Sequence, residues 1–224
     1  EVFAINNEVQ ELEYAEGREV VRILMELTSY LRPEIENLRH YMKFLGVIDF
    51  IRAKARTALK IEANKPQWSN EKGFNWQEAK HPLLLLKHAE LGKPVVPLNI
   101  FLEPKQRILL ISGPNAGGKS VCLTTVGLLQ YMLQCGLLVP VNEQSTFTIF
   151  KDLFIDIGDE QSIENDLSTY SSHLVNMKQL LGHVNKKSLF LIDEFGTGTE
   201  PQYGGAIAEA ILMELKESKG LGVI

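Results

Sequence analysis

Gly113-Pro114-Asn115-Ala116-Gly117-Gly118-Lys119-Ser120 is the stretch that decides how the rest of this chain is read. It fits glycine, four residues, glycine, lysine, then serine or threonine, the spacing of a phosphate-binding loop. The glycines let successive backbone N–H groups converge as an anion nest with no Cβ in the way. Lys119 supplies a point charge for the β- and γ-phosphates, and the Ser120 hydroxyl is a hard oxygen ligand suited to Mg²⁺. A helix starting here adds the positive end of its dipole. The flanks agree. Ile108 to Ile111 is a short apolar run of strand length, and Val121 to Gln134 is an apolar stretch of helical length. Gly113 to Val121 is therefore the candidate nucleotide-binding segment, with the backbone of residues 114 to 120 and Lys119 facing the phosphates.

A second acidic motif lies further on. Leu189-Phe190-Leu191-Ile192 reads as a buried strand, and Asp193-Glu194 ends it. A carboxylate at the carboxyl end of a parallel strand near a phosphate loop is placed to hold Mg²⁺ together with Ser120. The adjacent Glu194 can then polarise the attacking water. Lys119 and Glu194 are the candidate catalytic residues, and Ser120 and Asp193 the candidate metal ligands. Gly196-Thr197-Gly198-Thr199 follows as a hydroxyl-rich turn.

Around these motifs the chain alternates strands and helices, which predicts an α/β fold with a mainly parallel sheet flanked by helices. A helical arm precedes it. Residues 1 to 31 read as one helix, and Pro33 opens a second with near-heptad apolar spacing from Ile35 to Leu59. The tight link predicts an antiparallel pair over residues 1–62, followed by the main domain over 63–224. Arg52, Lys54, Arg56 and Lys60 read as a solvated basic face. Turn residues between 61 and 80 mark the boundary, with Trp68 and Trp76 as packing anchors. Residues 81 to 105 read as short strands, His81 as a turn residue without chemistry, and Val95 to Pro97 as the weakly placed adenine contact. In the helix from Pro201 to Lys216, Ala206, Ala208, Ala210 and Ile211 are the expected buried residues. Residues 158 to 173 are rich in acids, amides and hydroxyls. They read either as an acidic surface loop in which Ser168 or Ser171 caps a helix running to about Leu181, or as a loop presenting hydroxyls to a phosphate.

Composition sets the remaining bounds. The 224 residues carry a net charge of −5 and 45% hydrophobic residues, so bulk charge does not make the chain a nucleic-acid grip. Cys122 and Cys135 are too far apart along one helix to bridge, which suits a reducing cytoplasm. No apolar run reaches membrane-spanning length. The chain begins without methionine and stops in a strand-like stretch, and it is read as a piece of something longer.

Three segments then carry a family resemblance. Gly113 to Ser120 resembles G-P-N-x-G-G-K-S of the MutS DNA mismatch-repair family, a branch of the ABC-type P-loop ATPases, and Asn115 is its most telling residue. Asp193-Glu194 with Gly196 to Thr199 is similar to that family's D-E-x-G-x-G-T. Ile157-Gly158, nine residues and Ser168-Thr169-Tyr170 resemble its I-G, nine residues, S-T-F. Asp166, where MutS proteins proper carry glycine, favours the second MutS subfamily, whose members usually end in a Smr nuclease domain. The resemblance implies an ATPase working as a homodimer. Ser168 and Thr169 of a second subunit would complete the site near Asn115, and the arm would act as a lever to a DNA clamp elsewhere in the protein. It implies mismatched or branched DNA as partner, and the ribosome in some bacteria. Two alternatives stand beside it. One is another ABC-type DNA ATPase of the SMC and Rad50-like kind, for which an L-S-G-G signature and long coiled-coil arms are lacking. The other is a nucleotide-gated dimerisation module with little turnover.

Overall fold

The computed structural model describes residues 2–70, 73–103, 105–114, 117–158, 169–196 and 200–224. The chain divides into two compact units, Glu1–Ala53 and Lys54–Ile224.

The first unit is helical. α1 runs Val2–Leu31, a 3-10 turn spans Arg32–Glu34, and α2 runs Ile35–Lys60, entering the second unit. The proline expected to start the second helix sits inside the 3-10 turn. Leu31 and Ile35, on either side of it, both keep right-handed helical torsions, so the link does not reverse the chain. α1 has no buried residue, and its stripe at Val9, Leu12, Ile23 and Leu27 stays exposed. The antiparallel packing expected from the sequence is not formed among the described residues.

The second unit is built on a four-stranded parallel sheet. β4 (Ile108–Leu109), β6 (Asp152–Asp156), β7 (Ser188–Ile192) and β8 (Leu221–Val223) lie in the order β4-β8-β7-β6. A second four-stranded sheet, of mixed direction, contains β1 (Gln67–Trp68), β2 (Phe74–Ala79), β3 (Leu98–Leu102) and β5 (Thr146–Phe147), in the order β1-β5-β2-β3. The expected strand before Gly113 is shorter than its apolar run, and Leu110 is exposed.

β7 explains how the layers close. All five of its residues are buried, so both of its faces are covered. Leu189 and Leu191 point to one side, with Leu123, Val126 and Leu129 of α4 (Lys119–Gln134) and with Phe74, Trp76 and Phe147 of the mixed sheet. Phe190 and Ile192 point to the other, against Met177 and Leu180 of α5 (Thr169–His183) and Leu215 of α6 (Pro201–Ser218). The period of two along a strand sends alternate residues to different helices.

Two glycines permit this closeness. A Cβ on Gly127 of α4 would stand 2.9 Å from Leu191 Cδ1, and one on Gly222 of β8 would overlap the Phe190 ring. Gly222→Ala is expected to destabilise the domain by about 1–3 kcal/mol, because a well-packed core cannot absorb a methyl group. Thermal unfolding should show a drop of roughly 2–4 °C per kcal/mol. Gly182→Ala, at an exposed position of α5 where nothing lies within 4 Å, is the control and should not destabilise.

Several local expectations are corrected. Residues 82–91, read as short strands, form α3 (Pro82–Leu91), with Pro82 in its first turn and Gly92 in the left-handed conformation at its end. A four-leucine run has no periodicity to separate strand from helix, but proline before it and glycine after it are helix punctuation. The boundary read between 61 and 80 contains β1 and β2. Trp76 is a packing anchor, 1% exposed and stacked on Phe147 at 4.2 Å, whereas Trp68, on β1, is 52% exposed and outside both apolar clusters of the described residues. In α6, Ala206 and Ala210 are exposed, and Ala208 and Ile211 are half-buried. The inward stripe is Gly204, Ala208, Ile211 and Leu215, displaced from the alanine-rich segment.

Candidate functional site

The glycine-rich loop sits between the end of β4 and the start of α4. Gly118, at φ 84, is the residue immediately before α4, and Gly113 is at φ 154. Both are left-handed conformations that favour glycine. Pro114 has no N–H, so it offers no donor to an anion, which corrects the reading of residues 114 to 120 as an unbroken row of amides. Its carbonyl instead accepts the Gly117 N–H at 2.9 Å and closes the loop. The first intrahelical bond of α4 runs from Cys122 N–H to Gly118 O at 2.9 Å. Lys119, Ser120 and Val121 therefore form the helix's first turn, where N–H groups point along the dipole's positive end. The Lys119 ammonium lies back across the loop and donates to Gly113 O at 2.6 Å. Ser120 is exposed. Asn115 and Ala116 lie outside the described residues.

This loop faces a groove of about 680 Å³. Gly113, Pro114, Gly117, Gly118 and Lys119 line one part, and Val95, Val96 and Pro97 line another. The structure thus brings the weakest sequence reading, Val95 to Pro97, into the same groove as the glycine-rich loop. Two further residues, which sequence reasoning assigns no part in a site, also line this groove. His81 lines the groove, its Nδ1 is buried without a hydrogen-bond partner among the described residues, and burial lowers its pKa. Cys122 also lines it, and burial pushes its thiol pKa up, away from the reactive thiolate.

The acidic pair stands on the same edge of the sheet. β4, β8 and β7 are parallel, so their carboxyl ends point one way. β8 separates the strand before the glycine-rich loop from the strand before Asp193. Two inter-strand spacings amount to roughly 10 Å. Asp193 is 7% exposed. Its Oδ1 accepts the Glu194 N–H at 3.0 Å, and its own N–H donates to Asp156 O at 2.8 Å. Glu194 is exposed, with φ 51, a left-handed conformation unusual for a non-glycine residue. Gly196 follows at φ 81 and packs tightly below Gly204 and Ala208.

Asp193 and Glu194 line a second, much smaller cavity with Asp156 and His173. His173 Nδ1 lies 2.8 Å from Asp156 Oδ2, and Asn176 Nδ2 donates to Asp156 Oδ1 at 2.9 Å. No local pattern announces this cluster, because its members come from a strand and a helix 17 to 20 residues apart. Ser168 lies outside the described residues, as do the side chain of Thr169 and residues 197–199.

The basic cluster of α2 is not wholly a solvated face. Lys54 donates to Gly136 O at 3.2 Å, at the carboxyl end of α4, where a cation is favoured by the helix dipole. Cys122 and Cys135 are free. No helix of the described residues is long and apolar enough to cross a membrane. No group of three or more His, Cys, Asp or Glu among the described residues has a metal-holding arrangement.

The arrangement defines a parallel α/β domain with a glycine-rich, lysine-bearing loop at one strand's carboxyl end and an acidic pair at another's. Residues 109–223 match the family described as MutS domain V. The chain belongs to the MutS family. It is 44% identical over 97% of its length to the "Endonuclease MutS2" of Pediococcus pentosaceus, covering 27% of that protein. The protein of the same name from Caldanaerobacter subterraneus is 43% identical over 95% of this chain, with 26% of its own length covered. That of Listeria monocytogenes is 44% identical over the whole chain, with 28% covered. The chain thus spans about a quarter of the length of these curated relatives.

Proposed function

We propose that this domain binds ATP and hydrolyses it, and that in the whole protein the cycle drives movement on DNA. The observation that carries the reading is the shared sheet edge: the Gly113–Lys119 loop and the Asp193–Glu194 pair end parallel strands one strand apart. Ligands in open parallel sheets bind outside the carboxyl ends of strands, and roughly 10 Å between the two motifs leaves room for a triphosphate between them.

On this reading the domain is an ABC-type P-loop ATPase. The backbone of Gly113 to Val121, apart from the missing Pro114 donor, and the Lys119 ammonium hold the phosphates. His81 and Val95 to Pro97, which line the same groove, would take the base and ribose. The Ser120 hydroxyl and the buried Asp193 carboxylate would hold Mg²⁺. They form an oxygen-only donor pair, and Mg²⁺ takes few protein ligands because it keeps waters and phosphate oxygens for the rest. Bound there, the ion would neutralise charge on the phosphates. Glu194, exposed at the strand end beside Asp193, orients water for in-line attack on the γ-phosphate and accepts its proton.

The family likeness supports a composite site in a homodimer, with Ser168 and Thr169 of a second subunit reaching the γ-phosphate near Asn115. It also supports residues 1–62 as a lever arm distinct from an ATPase domain over 63–224, a cytoplasmic location, and mismatched or branched DNA as partner. Ribosome association is a further possibility of the same kinship. "Endonuclease" in the relatives' name would belong to another part of the protein.

Mixing subunits tests the shared site. Ser168→Ala and Lys119→Ala homodimers of the full-length protein should each be inactive in ATP turnover. Mixed dimers should regain activity, because one of their two sites then has both groups intact. Normal turnover by the Ser168→Ala homodimer, or no recovery on mixing confirmed heterodimers, would remove Ser168 from the site.

A further inference from the structure

β6 and β7 run side by side with Asp156 opposite Ile192, so Asp193 and Glu194 emerge directly beside Asp156. Both ends of Asp156 are committed. Its backbone carbonyl takes the Asp193 N–H at 2.8 Å. Its carboxylate, on a side chain only 12% exposed, takes Asn176 on one oxygen and faces His173 on the other. A buried carboxylate is tolerated only when its oxygens are satisfied, and here α5 supplies both partners. A carboxylate acceptor makes His173 Nδ1 the donor. His173 and Asn176 are three residues apart, on one face of α5, so the helix grips the strand end at two points.

What this grip holds is a strained turn. A left-handed conformation at a residue other than glycine costs about 1 kcal/mol or more, and it persists only where its surroundings over-determine it. Glu194 has φ 51, and the residue before it is pinned to Asp156. His173 and Glu194 also line the same cavity of about 30 Å³.

We infer that His173 is a positioning residue for Glu194: through Asp156 it fixes the strand end on which the water-polarising carboxylate stands. The inference rests on the reading of Glu194 given above. His173 does not touch the nucleotide in this role. It sets the geometry of a group that does chemistry, and errors of about 1 Å in such geometry cost on the order of 100-fold in rate.

The test uses the full-length protein and separates kcat from KM. His173→Ala removes the donor and should lower kcat for ATP by about 10- to 100-fold, with KM and equilibrium ATP binding little changed. His173→Asn keeps an N–H on the atom attached to Cγ, where Nδ1 sits, and should restore most of kcat. His173→Gln stays polar and similar in size but moves the donor one bond outward. It should remain slow, and it keeps the test open if the alanine variant does not fold. Wild-type kcat in the alanine or glutamine variant, or an asparagine variant as slow as alanine, would overturn the inference. Glu194→Gln on the same preparation separates the two claims. If it turns over as fast as the wild type, the role of Glu194 fails and this inference with it. If it is slow while His173→Ala and His173→Gln are fast, only the role of His173 fails.

Discussion

Lys119→Ala is expected to abolish tight ATP binding. The lysine stands in the first turn of α4, and its ammonium already reaches back over the loop to Gly113 O at 2.6 Å. The same reach carries it over any phosphate seated in the loop. Charge-assisted hydrogen bonds to an ionised partner are each worth about 1.5–3 kcal/mol. Losing one or two should weaken affinity by roughly 10- to 10,000-fold. Equilibrium titration with a fluorescent ATP analogue measures it. The fold should survive, because Lys119 contributes nothing to either apolar cluster. A variant that unfolds at the wild-type temperature and still binds ATP with wild-type affinity would show that the loop is not the phosphate site.

Glu194→Gln should separate binding from turnover. Glutamine is close to isosteric, and the backbone bonds that shape the turn do not involve the side chain. Asp193 Oδ1 still accepts the residue-194 N–H, and Asp156 O still accepts that of Asp193. The substitution therefore removes the carboxylate as a proton acceptor while leaving these backbone bonds in place. General-base contributions of this kind are about 10²–10⁴ in rate. ATP affinity should stay within a few-fold of wild type, and kcat should fall by at least about 100-fold. A variant with unchanged turnover would deny Glu194 its role, and one that no longer binds ATP would make it a binding residue instead.

The two motifs were legible because short-range chemistry constrains them. A glycine-rich loop with a lysine needs a strand before it and a helix after it, and β4 and α4 are there. Leu189 to Ile192 is an unbroken apolar run, the mark of a strand covered on both faces, and β7 is covered on both. What was missed depends on contacts between distant residues. The leucines of α3 have no period, and only Pro82 and Gly92 distinguish the helix. Trp68 and Trp76 look equivalent in sequence, yet Trp76 is buried with its ring stacked on Phe147, while Trp68 pairs with Phe147 only through the β1–β5 ladder and stays half exposed. The exposed stripe of α1 looks amphipathic, but period alone does not name the partner that would cover it. The Asp156–His173–Asn176 cluster had one faint sign, the i, i+3 spacing of His173 and Asn176 on a predicted helix. Nothing local tied either residue to Asp156. Helix-capping Lys54 was read as solvated for the same reason, since its acceptors lie more than 80 residues away.

The central claim is that the shared sheet edge hydrolyses ATP rather than merely holding it. Single-turnover phosphate release tests it most directly, with full-length protein in excess over γ-labelled ATP and with Mg²⁺ present. The wild type should convert bound ATP to ADP and free phosphate, while Glu194→Gln retains the label as intact ATP. Wild-type protein that binds the nucleotide, dimerises and releases no phosphate would contradict the account and leave a nucleotide-gated dimerisation module in its place.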